Sequence, residues 1–165
     1  MLKMSGYKCF NKGLINRYGK KFEVGVMYHC DNELKFGNNG HGFHMCQNLE
    51  DTLRYFDAID EEVDICKVTC YGKTVLHEDE YNGFYNMYTT ENIVIEKILS
   101  REEVIEYALK LPSYRVKRFI MLYRLNDEEK ELFKEKFKNH LDVIEYIAYY
   151  QESDKEVFKR RIKQK

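Results

Sequence analysis

After residue 99 the chain writes one four-residue start signal three times: SREE at Ser100–Glu103, NDEE at Asn126–Glu129 and SDKE at Ser153–Glu156. In each, a Ser or Asn oxygen accepts from an amide that the helix leaves unpaired, and the Glu three residues on reaches back to the cap amide. That series commits the C-terminal part of the chain to helices. Pro112 stops the first helix and suits the opening turn of the next. The second, roughly Ser113 to Arg124, is predicted to bury Val116, Phe119, Ile120 and Tyr123. Leu132, Phe133 and Phe137 line the third, and the fourth, LDVIEYIAYY, presents a wide apolar face of Leu141, Ile144, Ile147 and Ala148. The last, KEVFKRRIKQK, has only Val157, Phe158 and Ile162 to bury.

The first hundred residues follow a different period. GYKCF opens an extended segment that NKG breaks. KFEVGVMYHC alternates as a strand, with Phe22, Val24, Val26 and Tyr28 on one face. NNGHG is a loop, GFHMC a short strand, and VDICKVTCYG a strand with Cys66, Val68 and Cys70 on one side. ENIVIEKIL gives a last strand, Ile93 and Ile95 opposite Val94 and Glu96. One helix interrupts them: Asn48 caps, Asp51 completes a box-like start, and Leu49, Leu53 and Phe56 form its stripe. The acidic DAIDEEVD after it is a solvated connection. The expected architecture is α+β: a small, mostly antiparallel twisted sheet with an inserted helix over residues 1–99, then a C-terminal helical bundle over 100–165.

Composition sets the limits on function. With 165 residues, 44% of them apolar, the chain is long enough for one substantial core and too hydrophobic for disorder. No apolar run nears the ~20 residues that cross a bilayer, and MLKMSGYKCF carries no leader pattern. Five cysteines, an odd number, fit reduced thiols in a cytoplasmic protein better than a disulfide framework. Lys and Arg number 11 against 15 acidic residues in 1–99, and 16 against 13 in 100–165. That asymmetry is small for a nucleic-acid binder.

Three chemistries deserve weighing. His29, Cys30, His41, His44 and Cys46 cluster in sequence, but H-x2-H-x-C matches no standard zinc pattern, so no metal site is expected. A Cys–His nucleophilic pair needs proximity that sequence does not supply, and no G-x-S-x-G, P-loop or G-x-G-x-x-G is present. Arg115, Lys117, Arg118 and Arg124, with the terminal KRRIKQK, are the basis for a nucleic-acid alternative.

The order YKCF, glycine loop, GFHMC, capped NLEDTLRYF and VDICKVTCYG resembles an uncharacterised family of small phage, prophage and bacterial domains over roughly Tyr7 to Leu99. Those share a Tyr-Lys-x-Phe opening and a Gly-Phe-His-x-Cys strand, and the resemblance implies a fold without an assigned activity. More distantly the pattern is similar to the ADP-ribosyltransferase superfamily. That similarity implies Lys8 in place of the first-strand Arg or His, His44 at the second motif, and Glu91 as the late catalytic glutamate, with NAD as the cofactor. Lysine lacks arginine's bidentate fork.

The functional expectation is therefore a cytoplasmic protein of phage or mobile-element type that binds a host or phage protein partner, with no cofactor firmly implied. Its 14 Tyr and 10 Phe, including YNGFYNMY at Tyr81–Tyr88, suit an interface. The alternatives are an NAD-dependent transferase or hydrolase built on Lys8, His44 and Glu91, and a nucleic-acid binder.

Overall fold

The alternation in VDICKVTCYG extends much further than its apolar residues suggest. A computed structural model describes residues 2–36, 40–56, 58–59, 61–78 and 86–152, and in it strand β4 runs Val63–Glu78. The other strands are β1 (Lys3–Asn11), β2 (Met27–His29), β3 (Phe43–Cys46) and β5 (Asn86–Ile98). The chain divides into two compact units, Met1–Phe56 with Val63–Leu99, and Asp57–Glu62 with Ser100–Lys165.

The first unit is one antiparallel sheet that closes on itself. β1 pairs with β4 from Lys3↔Tyr71 to Asn11↔Val63, β4 with β5, β5 with β3 through Phe43↔Thr90 to Cys46↔Met87, and β3 returns to β1 at Tyr7↔Cys46. β2 continues the far half of β5 through Met27↔Val94 to His29↔Asn92. Alternation sends Cys66, Val68, Cys70, Ile93 and Ile95 inward, where they meet Phe10, Leu14, Phe22 and Met45 in one buried cluster.

Glycine decides the closure. A Cβ on Gly6 would stand 2.5 Å from the Cys46 carbonyl oxygen and 2.0 Å from Met45 Cε, so only glycine lets β3 lie this close to β1. The sheet bends at a bulge where Gly72 and Lys73 oppose Glu91 alone, between Tyr71↔Asn92 and Thr74↔Thr90. Gly72 adopts φ +81° there.

Two local expectations change. The long strand over KFEVGVMYHC shrinks to β2, because Gly25 at φ +82° turns the chain. Phe22 is buried, while Val24 and Val26 are 47% and 39% exposed. The helix after Asn48 is a single turn, α1 (Leu49–Thr52), followed by a 3-10 turn at Leu53–Tyr55. Asn48 does not cap it: its side-chain amide donates to Asp51 Oδ2 at 3.4 Å instead. Leu49 and Leu53 are buried as expected.

The second unit holds α2 (Arg101–Leu109), α3 (Ser113–Leu122), α4 (Asp127–Lys136) and α5 (Leu141–Tyr150). The boxes at Ser100 and Asn126 form in both directions. The box at Ser153 and the helix after it lie outside the described residues. Phe119, Phe133 and Phe137 bury as expected and stack in sequence, with centroids 6.0 and 6.4 Å apart. Leu132 and Leu141 do not bury; α5 turns Val143, Ile147 and Tyr150 inward. Arg101 clamps Glu129 through two hydrogen bonds of 2.8 and 2.7 Å and donates to the Arg124 carbonyl. Burial alone would raise the Glu129 carboxyl, but the Arg101 bonds hold it below its ordinary value. The buried Gln151 accepts from the Leu125 amide and donates to the Ile120 and Tyr123 carbonyls, tying the end of α5 to the α3–α4 turn.

Candidate functional site

The close approach of β3 to β1 places Lys8 against the strand that carries His44. Lys8 Nζ donates to the His44 carbonyl at 2.7 Å and lies 5.4 Å from the centre of the Phe10 ring. Burial lowers its pKa, and among the described residues no carboxylate lies in ion-pair reach of it. Only the surrounding thiols Cys46, Cys70, Cys9 and Cys66 oppose that shift.

A second wall comes from the connection between β1 and β2. Leu14 is the one non-glycine described residue with positive φ, +58°, and is buried. The Asp64 carboxylate holds this turn by accepting from the Gly13 and Leu14 amides at 2.7 and 3.0 Å. Beyond it the Asn16 side chain accepts from the amides of Tyr18 and Lys20, both at 2.9 Å. This Asx turn fixes the stretch from Arg17 to Lys20. Lys20 Nζ rests over the Phe22 and Tyr28 rings at 5.1 and 5.4 Å.

His44 makes the third contribution. Its ring meets Phe36 edge-on at 5.3 Å, and Phe36 stacks on His77 at 4.6 Å on another side. The His44 Nε2 is buried and has no hydrogen-bond partner among the described residues. Burial first, then the charges of Lys8, His77 and Arg17, push its pKa down to about 4. The imidazole is therefore neutral at pH 7.

These walls enclose a cleft of about 470 Å³. Its described lining includes the aromatic rings of Tyr7, Tyr18, Phe22, Phe36, Phe43, Tyr55 and Phe56, the cations Lys8, Arg17 and Lys20, and no Asp or Glu. Glu50 and Asp51 are close in sequence to β3 but are fully buried in α1, engaged in contacts of their own. Tyr18 stands 76% exposed at the site's margin. The volume lies in the range of small-molecule pockets, and the lining mixes apolar rings with charged and polar side chains.

The cleft brings together two of the three residues singled out from sequence. Lys8 and His44 share it; Glu91 does not line it. The Glu91 carboxylate instead accepts from the Lys73 amide at 3.1 Å, filling the bulge. The four buried thiols offer no nucleophile. Cys9, Cys46, Cys66 and Cys70 are buried, and burial pushes the last three up to about 12 and Cys9 higher still. Among the described residues no three His, Cys, Asp or Glu side chains are grouped to hold a metal ion. Of the cations named in the second helix, Lys117 is paired with Asp142 at 3.0 Å.

Arg17, Lys20 and Phe36 are absent from the sequence-based candidates. The signal for the first two is NRYGKK, an Asn followed three residues later by a positive-φ glycine, with cations between and after them. Nothing local marks Phe36, which reaches the site only through the return of the chain at the Lys35–His41 bridge.

Residues 4–106 match the family model of a domain of unknown function, DUF7666, and the chain belongs to that family. The match holds both motifs, YKCF and GFHMC, and ends inside α2. No curated protein and no solved structure matches the chain. Among the described residues no helix is long and apolar enough to cross a membrane.

Proposed function

We propose that this domain acts by binding, and that the cleft between β1, β3 and the β1–β2 connection is where its partner enters. The observation that carries this reading is the lining itself: aromatic rings and three cations, with no carboxylate among the described residues and no activated thiol. Rings give a large contact area at low entropy cost, and the cations select the charge of what enters. A protein of host or phage origin would engage the site by inserting one side chain; a free ligand would occupy it whole. The test is a screen of small ring compounds followed by amide chemical shifts. Compounds that bind should move the amides of residues 7–8, 16–22, 40–46 and 52–56 as one set. Absence of any compound that does so would remove the cleft from consideration.

NAD-dependent transfer is the rival reading, supported by the shared wall of Lys8 and His44. It requires that NAD raise the melting temperature, as any ligand preferring the folded state does, and that Glu91→Gln abolish turnover. Under the binding reading no turnover is found, and Glu91→Gln leaves ligand affinity unchanged, since its carboxylate serves the bulge.

A further inference from the structure

Resting on the binding role proposed for this cleft, we infer that Lys8, Arg17 and the His44 imidazole form the seat of an anionic group carried on a flat ring, a phosphate or carboxylate on an aryl or heteroaryl body. Four observations converge. Lys8 Nζ makes one hydrogen bond, to the His44 carbonyl, and has further N–H groups to give. Arg17 is an exposed residue that lines the cleft from within the Asx turn and, among the described residues, has no ion-pair partner. His44 Nε2 is a buried polar atom with no hydrogen-bond partner among the described residues, so it has a bond to offer a ligand atom. Phe36, Phe22, Phe43 and Tyr55 supply aromatic surface for the ring.

Charge completes the argument. Lys8 and Arg17 repel a proton from His44, and His77, beyond Phe36, adds to this. An anion bound there offsets those charges. His44 then gains a reason to be protonated and to donate, so binding of the anion draws in a proton. The anion, rather than the ring alone, complements Lys8, Arg17 and His44.

The experiment compares phenyl phosphate, phenol and inorganic phosphate by calorimetry on the full chain, with the His44 ring protons followed by NMR. Phenyl phosphate should bind at least about tenfold tighter than either phenol or inorganic phosphate, the margin of one charge-assisted hydrogen bond. Arg17→Gln should remove about that factor for phenyl phosphate and leave phenol unaffected, while Lys3→Gln, outside the cleft, changes neither. The His44 resonances should move toward the protonated position at pH 6 only when phenyl phosphate is present. If phenol binds as tightly as its phosphate, the anion seat is wrong and the cleft still stands as a binding site. If phenyl phosphate binds but the affinity ignores Arg17→Gln and the His44 resonances stay still, the seat lies elsewhere. If neither ring compound binds, both readings fall together.

Discussion

His44 carries the strongest consequence of any single side chain. Its pKa, ordinarily 6.5, is pushed down to about 4 by burial and by Lys8, His77 and Arg17. Between those values the unfolded chain binds a proton that the folded chain refuses, so stability is lost as pH falls from 6.5 toward 4. The loss attributable to this residue reaches up to about 3 kcal/mol at the acid end. Urea unfolding at pH 7 and pH 4.5 should therefore show a steeper acid loss for the natural chain than for His44→Gln, which has nothing to titrate. Equal losses would show that His44 is not held neutral. At this scale the sequence was partly legible. Lys8 and His44 are singled out by the similarity of YKCF and GFHMC to ADP-ribosyltransferase motifs. Glu91 looked alike on paper, a carboxylate at the head of a strand, but its neighbour is the Lys73 amide, which a bulge placed there.

The elements follow the same division between local and distant causes. Capping boxes are written within four residues and pair within four residues, so Ser100 and Asn126 were readable. The buried face of α5 was not, because the choice among Leu141, Val143 and Ile147 is made by what packs on that helix. Nor was the end of β2, where Gly25 turns the chain out of the alternation. Gly6 is the element-scale test. Its missing Cβ admits the Cys46 carbonyl and Met45, and Gly6→Ala forces β3 away from β1. Overpacking of this kind destabilises by about 1–3 kcal/mol, read as a lower urea midpoint. Because Lys8 reaches the His44 carbonyl across the same junction, the variant should also weaken ligand binding at the cleft. Gly6→Ala with natural stability would mean that the strands have slack the distances do not allow.

Across the whole molecule, the candidate cleft lies in the unit that the family match covers almost entirely, with the match ending at residue 106. All five cysteines belong to that unit, and four of them are buried with their thiols pushed up by burial. Only the thiolate attacks a disulfide reagent, so a native titration with such a reagent should show one fast thiol, Cys30. The other four should appear on adding denaturant. More than one fast thiol in native protein would mean the sheet opens far more readily than its packing implies. The twisted antiparallel sheet and the helical region were legible at this scale because period and caps repeat over many residues. The ring of pairings was not, since it depends on Tyr7 meeting Cys46 across 39 positions of chain.

That ring also bears on how the molecule behaves in a crowded solution. An open sheet offers rows of unpaired amides and carbonyls on which another copy can build, and long flat edges are where aggregation starts. Here β4 and β5 are paired with each other and flanked by β1, β3 and β2. The flanking strands β2 and β3 are only three and four residues long. A domain rich in strand and in tyrosine thus offers a neighbouring copy only short edges at β2 and β3.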